Sequence, residues 1–151
     1  QGELLSAEEA YKINLKISTE NGDLQGVCRM NSMLGKIYLD KAGLVNEPDE
    51  ELFGRASIYY EDSLVAAVSQ KNGINIAFAL VGIIEVAVAS NKHASFDYVL
   101  EEFDRFVNAS LHKSIPDFAK NQLKESLKTV KTTSPELADK VDGLIKCLDS
   151  N

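Results

Sequence analysis

Residues 34–38 read Leu34-Gly35-Lys36-Ile37-Tyr38, and residues 56–60 read Ala56-Ser57-Ile58-Tyr59-Tyr60. In a pair of helices, a small residue such as Gly35 lets the neighbouring backbone approach, and an aromatic one turn away fills the hollow that results. Outward from these two stretches the same pattern returns. Laying residues 4–20, 50–71 and 95–112 over one another brings Leu4, Phe53 and Phe96 together. Ala7 then meets Ala56 and Val99, Tyr11 meets Tyr60 and Phe103, and Leu15 meets Leu64 and Val107. The step from Tyr11 to Tyr60 exceeds the step from Tyr60 to Phe103 by about the length of the acidic insertion between Leu44 and Glu51. Likewise Asn31, Leu34, Gly35 and Tyr38 fall on Phe78, Val81, Gly82 and Glu85.

Helical spacing of apolar residues runs through almost the whole chain, and no stretch keeps a clean strand alternation between turn residues. The fold class is therefore all-α. Breakers at 21–23, 43–49, 72–73, 91–95, 114–116 and 132–135 leave seven helices, at 4–20, 24–42, 50–71, 75–90, 95–112, 116–131 and 135–148. Pro116 and Pro135 each follow a capping position, Ser134 most clearly, and suit the first turn of a helix. A helical pair cannot cover its own apolar face, so the pairs must stack into a quasi-one-dimensional array.

On these residues the chain resembles the tetratricopeptide repeat (TPR) family. Leu34-Gly35-Lys36-Ile37-Tyr38 fits the family's Leu-Gly-x-x-Tyr core, and Ala56 to Tyr60, like Ala7 to Tyr11, fits its Ala-x-x-x-aromatic core. The stretch Tyr11 to Asp23 resembles the link between units in the longer forms of the repeat. The likeness covers residues 4 to about 107, with Asn31 where the family prefers a bulky aromatic residue and Glu85 where it prefers Tyr. It implies one domain over 1–151, a right-handed superhelix of antiparallel hairpins with units at 4–23 (half a unit), 24–72 and 73–113. Residues 114–149 would form a lysine-rich cap, because a terminal unit needs a wet outer face.

The resemblance also implies that the first helix of each unit lines a concave groove. Carried over residue by residue, the groove takes Arg29, Ser32, Lys36, Leu39 and Asp40 from one helix, and Ile76, Ala79, Ile83, Val86 and Ala87 from the next. An extended or helical peptide would place apolar side chains on the second set and acidic groups on Arg29 or Lys36. Helix 75–90 is apolar all round, so Ile76, Ile83 and Val86 equally suit burial against a neighbouring helix.

Composition removes other classes. The chain has 16 Lys and Arg against 23 Asp and Glu, a charge of −7 that disfavours a nucleic-acid footprint. Its 44% hydrophobic content and only three prolines exclude a disordered or collagen-like chain and predict a packed core. The apolar run Ile74 to Ser90 is interrupted by Asn75 and Glu85 and falls short of the roughly 20 residues of a bilayer span, so no membrane segment is expected. The opening Gln1-Gly2-Glu3-Leu4 lacks the marks of a signal peptide and reads as a boundary within a longer protein. Cys28 and Cys147 stand far apart with no CxxC pair, which suggests neither a disulfide framework nor zinc and favours a cytoplasmic setting.

Remaining features divide between chemistry and surface. Glu85, the one charged residue between Gly73 and Lys92, must reach solvent, find a partner or take up a proton. It either captures a cation of a ligand or replaces the repeat's Tyr against a neighbouring helix. Lys120, Lys124, Lys128 and Lys131 form one stripe, read as a solvated face. The acidic loop 46–51 has no calcium-ligand pattern and suits a helix N-terminus. His93 and His112 read as surface residues, and no metal site is expected. Asn108-Ala109-Ser110 matches a glycosylation triplet but lies inside an expected helix. No phosphate loop, nucleophile elbow or HExxH is present, so no enzyme activity and no cofactor are expected. The expectation is a non-catalytic interaction module for a protein or peptide partner, with a regulatory or sensor domain of a larger protein as the alternative. A homo-oligomer would form through helix 75–90.

Overall fold

The computed structural model describes residues 2–150, with side chains from Ser6 to Ser150. Its helices are α1 (Gly2–Glu20), α2 (Leu24–Gly43), α3 (Glu50–Ser69), α4 (Gly73–Ala89), α5 (Ser95–Asn108), α6 (Asp117–Thr133) and α7 (Ala138–Asp149). Among the described residues there is no strand, and the fold is all-α with seven helices, as the periodicity predicts. The side chain of Leu4, first of the aligned apolar set, lies outside the described residues.

Side chains in the breaks start the helices. Asp23 accepts from the Gly26 amide at 3.0 Å, Asp49 from the Glu51 and Leu52 amides at 3.0 and 3.2 Å, and Asn72 from the Asn75 amide at 3.1 Å. Each satisfies a backbone donor that the first turn leaves unpaired. Helices α1, α3 and α4 end alike, in a left-handed residue: Gly22 at φ 68°, Lys71 at 52° and Asn91 at 57°. In each case the next amide reaches back to the last turn, as from Asp23 to Ser18 O at 2.8 Å and from Lys92 to Ala87 O at 3.0 Å.

Two boundaries differ from expectation. The helix expected over 95–112 stops at Asn108, Ser110 turns left-handed at φ 59°, and Leu111–Ser114 forms a short 3-10 helix. This detour lays Leu111 and Ile115 against the start of α4, where a Cβ on Gly73 would stand 2.6 Å from the Leu111 carbonyl oxygen. Pro135 opens a second 3-10 helix, Pro135–Leu137, instead of α7 itself. Ser134 is buried there and its hydroxyl makes no cap hydrogen bond.

Helices α2, α4 and α6 touch in sequence to form a row, with α3 packed on α2 and α4, α5 on α4 and α7, and α1 on α2. Helix α4 is thus covered by α2, α3, α5 and α6, which explains why it is apolar on nearly every side. The row closes on Tyr60 of α3. Its ring lies between two glycines: a Cβ built on Gly35 would come within 2.9 Å of the ring, and one on Gly82 within 2.3 Å. Two helices therefore approach one aromatic ring as closely as bare backbone allows.

A polar knot ties α1 to this stack. Glu8, only 7% exposed, accepts from Lys12 at 2.7 Å and also from Lys41 and the Tyr38 hydroxyl. Lys12, Lys41 and Arg55 stand 5.7, 5.0 and 5.6 Å from the centre of the Tyr38 ring, and Tyr59 stacks on it at 5.4 Å. Burial works against the Glu8 charge, but hydrogen bonds from Lys12, Lys41 and Tyr38 outweigh it and hold the carboxyl at about 2.

Gly82→Ala is expected to lower the urea midpoint by an amount equivalent to about 2 kcal/mol, the usual cost of overpacking. Gly143→Ala, where a Cβ meets nothing within 4 Å, should instead raise it by about 0.5–1 kcal/mol through helix propensity. Glu8→Gln should cost on the order of 2 kcal/mol at neutral pH. Because the folded carboxyl titrates near 2 against an ordinary 4.5, that stabilisation is complete above pH 4.5 and drains away as pH falls towards 2. Urea titrations of both chains at pH 7 and pH 3 should therefore show the gap between them shrinking in acid.

Candidate functional site

The row α2, α4, α6 presents one solvent face. On α4 the stripe Asn75, Phe78, Gly82, Glu85 and Ala89 follows helical spacing, and all but the glycine over Tyr60 reach the surface or a cleft. Met33 of α2, Phe78 of α4 and Phe118 of α6 are exposed on it by 40%, 38% and 55%. The Phe78 and Phe118 ring centres are 6.3 Å apart. Large apolar side chains from three successive helices thus form a band on a face where water would favour polar groups.

Beside the band, α2 and α4 enclose a cleft of about 360 Å³ over Tyr60, lined among others by Arg29, Ser32, Met33, Lys36 and Phe78. Its floor is fixed by a chain of hydrogen bonds. Ser32 Oγ lies 2.7 Å from Ser63 Oγ, which donates to the Cys28 carbonyl oxygen at 3.0 Å and lies 3.3 Å from Cys28 Sγ. Burial lifts the Cys28 thiol above its ordinary range, with Ser63 opposing, which keeps it protonated and unreactive. Lys36 faces Asp40 at 3.6 Å, an exposed pair of little strength. Arg29 has no ion pair among the described residues.

A second cleft, of about 350 Å³, lies between α4 and α6 and is lined by Glu85, Val88, Glu125, Ser126 and Thr129. Packing around Glu85 raises its carboxyl above the ordinary range; Lys36 pulls it down and Asp40 adds to the rise. Burial, then Glu85 and Asp40, push the Tyr60 hydroxyl upward as well. Lys36, Asp40, Tyr60 and Glu85 therefore share one electrostatic neighbourhood at the centre of the face.

The residues expected in the groove divide sharply. Arg29, Ser32 and Lys36 come together in the first cleft, Asp40 is exposed beside them, and Leu39 lines a separate hollow with Phe53 and Ala89. Ile76, Ala79, Ile83 and Val86 are 2%, 0%, 2% and 4% exposed. They pack the core between α4 and its neighbours, as Ala87 does; of the four only Ile76 reaches a hollow, between α3, α4 and α5 and not with Arg29 and Lys36. What α4 offers to solvent is instead Asn75, Phe78, Glu85 and Ala89, so its apolar bulk is consumed within the chain. The repeat alignment sets Phe78 on Asn31, which is buried, and so gave no sign that Phe78 is exposed; Phe118 lay in the region of weaker likeness.

Other expectations resolve individually. His112 is buried rather than at the surface: it packs edge-on against Phe106 at 6.3 Å with neither ring nitrogen hydrogen-bonded, and burial, then Lys113 and Lys120, lower its pKa. His93 stacks on Phe96 at 5.3 Å. The lysine stripe is largely paired, Lys128 with Glu125 at 3.1 Å, Lys131 with Asp142 at 2.8 Å and Lys124 with Asp149. In the acidic loop Asp49 caps α3, and Glu50 meets Lys92 at 2.6 Å. Among the described residues no helix is long and apolar enough to cross a membrane, and no three metal-ligating side chains gather.

No family model matches the chain, and neither does any curated protein or solved structure.

Phe78→Ser is expected to change stability by less than about 1 kcal/mol, since the side chain is part-exposed. Ile83→Asp should cost several kcal/mol, roughly 3 or more, by burying an unpaired carboxylate. Thermal unfolding followed by circular dichroism separates the two, and similar losses would contradict the division between face and core.

Proposed function

We propose that the chain is a non-catalytic helical-repeat module, a divergent relative of the TPR type, that holds a peptide segment of a partner protein on the face of α2, α4 and α6. The observation that carries this reading is the band of Met33, Phe78 and Phe118 beside a cleft holding Arg29 and Lys36. Covering apolar surface is favourable by about 25 cal/mol per Å². A segment laid across the band gains that, while the charged rim fixes its register. Support for the repeat comes from the shared ending of α1, α3 and α4 and from Gly35 and Gly82 meeting one ring. We read the stack as a right-handed superhelix with α6 and α7 as its cap. The two free thiols, Cys28 and Cys147, are in keeping with a cytoplasmic setting.

The test is affinity capture from native lysate with three folded baits: the wild type, a Phe78→Ser Phe118→Ser double variant, and an Ile58→Ser Val65→Ser double variant that alters exposed residues of α3. Proteins retained by the wild type and the α3 variant but lost, by about tenfold or more, from the Phe78 variant are the expected result. Equal retention by all three would refute the assignment of this face.

A further inference from the structure

The face is electrically ordered. At its α2 edge the first cleft holds Arg29, which has no ion pair among the described residues, with the amides of Gln25 and Asn75; Lys36, also in its lining, meets Asp40 at 3.6 Å and lies towards Glu85. At its α6 edge the second cleft holds Glu85 and Glu125, with the hydroxyls of Ser126 and Thr129 and no cation. Glu125 has only an exposed contact with Lys128, and Glu85 has no ion pair among the described residues. In a chain of charge −7, a cationic cleft and an anionic cleft flanking one apolar stripe amount to a polarity that a bound segment must match. Resting on the reading above, we propose that the occupant is a bipolar peptide segment: an acidic side chain at Arg29, a bulky apolar side chain on Met33 and Phe78, and a Lys or Arg between Glu85 and Glu125.

Spacing follows from helix geometry. Phe78 and Glu85 are two turns apart on α4, about 10 Å along its axis. The two clefts are also displaced across the face by one interhelical distance, about 9 Å. An extended segment covers that diagonal in roughly four residues. The cation thus sits about four residues from the apolar anchor, on the side away from the acid. Glu85 gains most from it, because it has no ion pair among the described residues, whereas Glu125 already meets Lys128. Opposite charges at the two edges also discriminate: a segment laid in reverse puts like charges together in both clefts.

Random dodecapeptides displayed on phage, selected on the immobilised wild-type chain and then measured as free peptides by fluorescence anisotropy, test this. The expected binders carry acid, apolar and basic residues in that order. Their affinity should fall about fivefold or more on a Glu85→Gln Glu125→Gln chain, a typical effect of a charge pair at an interface rim. Replacing the peptide's basic residue by Gln should cost a similar factor on the wild type and nothing further on the double variant. Both glutamates are exposed, so the variant is expected to fold, and circular dichroism checks it. Binders that are lost on Phe78→Ser but indifferent to the glutamate substitutions would overturn the charge order and leave the apolar face standing. Binders indifferent to Phe78→Ser, or no binders, would overturn both.

Discussion

Everything in the stack depends on how closely α2 and α4 approach the ring of Tyr60. Glycine at 35 and at 82 removes the Cβ atoms that would keep the helices apart, and the ring fills the space left. The closeness of that approach brings the exposed edges of α2 and α4 together over the ring and leaves a cleft between Arg29, Ser32 and Phe78. The same ring carries its hydroxyl towards Glu85 and Asp40. One packing decision therefore sets both the core and the floor of the face.

Two positions that the sequence alignment sets on one another are built in different ways. In that alignment Tyr38 of α2 falls on Glu85 of α4. Around Tyr38 the stack gathers Glu8, Lys12, Lys41 and Arg55, and nearly every polar group finds a partner. That network joins α1 to α2 and α3 where the apolar contact of α1 is modest, with Ile13 and Ile17 left exposed. Around Glu85 no such network forms. Glu8 is therefore a structural charge, held ionised by three donors, whereas Glu85 is a charge held open.

Much of the fold was legible in the sequence because its signals are local. Helical periodicity and the breakers that end each helix depend on near neighbours, whereas the ring that fills the hollow at Gly35 comes from Tyr60 of the next helix and not from one turn away. For Ile76, Ile83 and Val86 the sequence left groove and burial equally open, because an all-apolar helix gives no clue to which side stays dry until its four neighbours are known. His112 was misread for a similar reason. Its 3-10 turn exists only because Gly73 admits the Leu111 carbonyl, a contact between distant parts of the chain. Arg29, Ser32 and Lys36 line one cleft, since an amphipathic helix announces its wet side.

The contrast between the buried and exposed parts of α4 argues that the face is built to be covered. Position 78 faces solvent in part, as position 75 does with Asn, yet it carries Phe, and its ring meets Phe118 from the next helix of the row. Leaving two rings side by side in water forfeits burial that the fold obtains elsewhere without difficulty. Position 85, by contrast, carries an exposed carboxylate that its neighbours partly desolvate and that no ion pair among the described residues offsets. An apolar group kept in water and a charge kept against protein, one above the other on a single stripe, are opposite departures from what stability alone selects. A segment that is apolar at one point and cationic about four residues further on removes both at once.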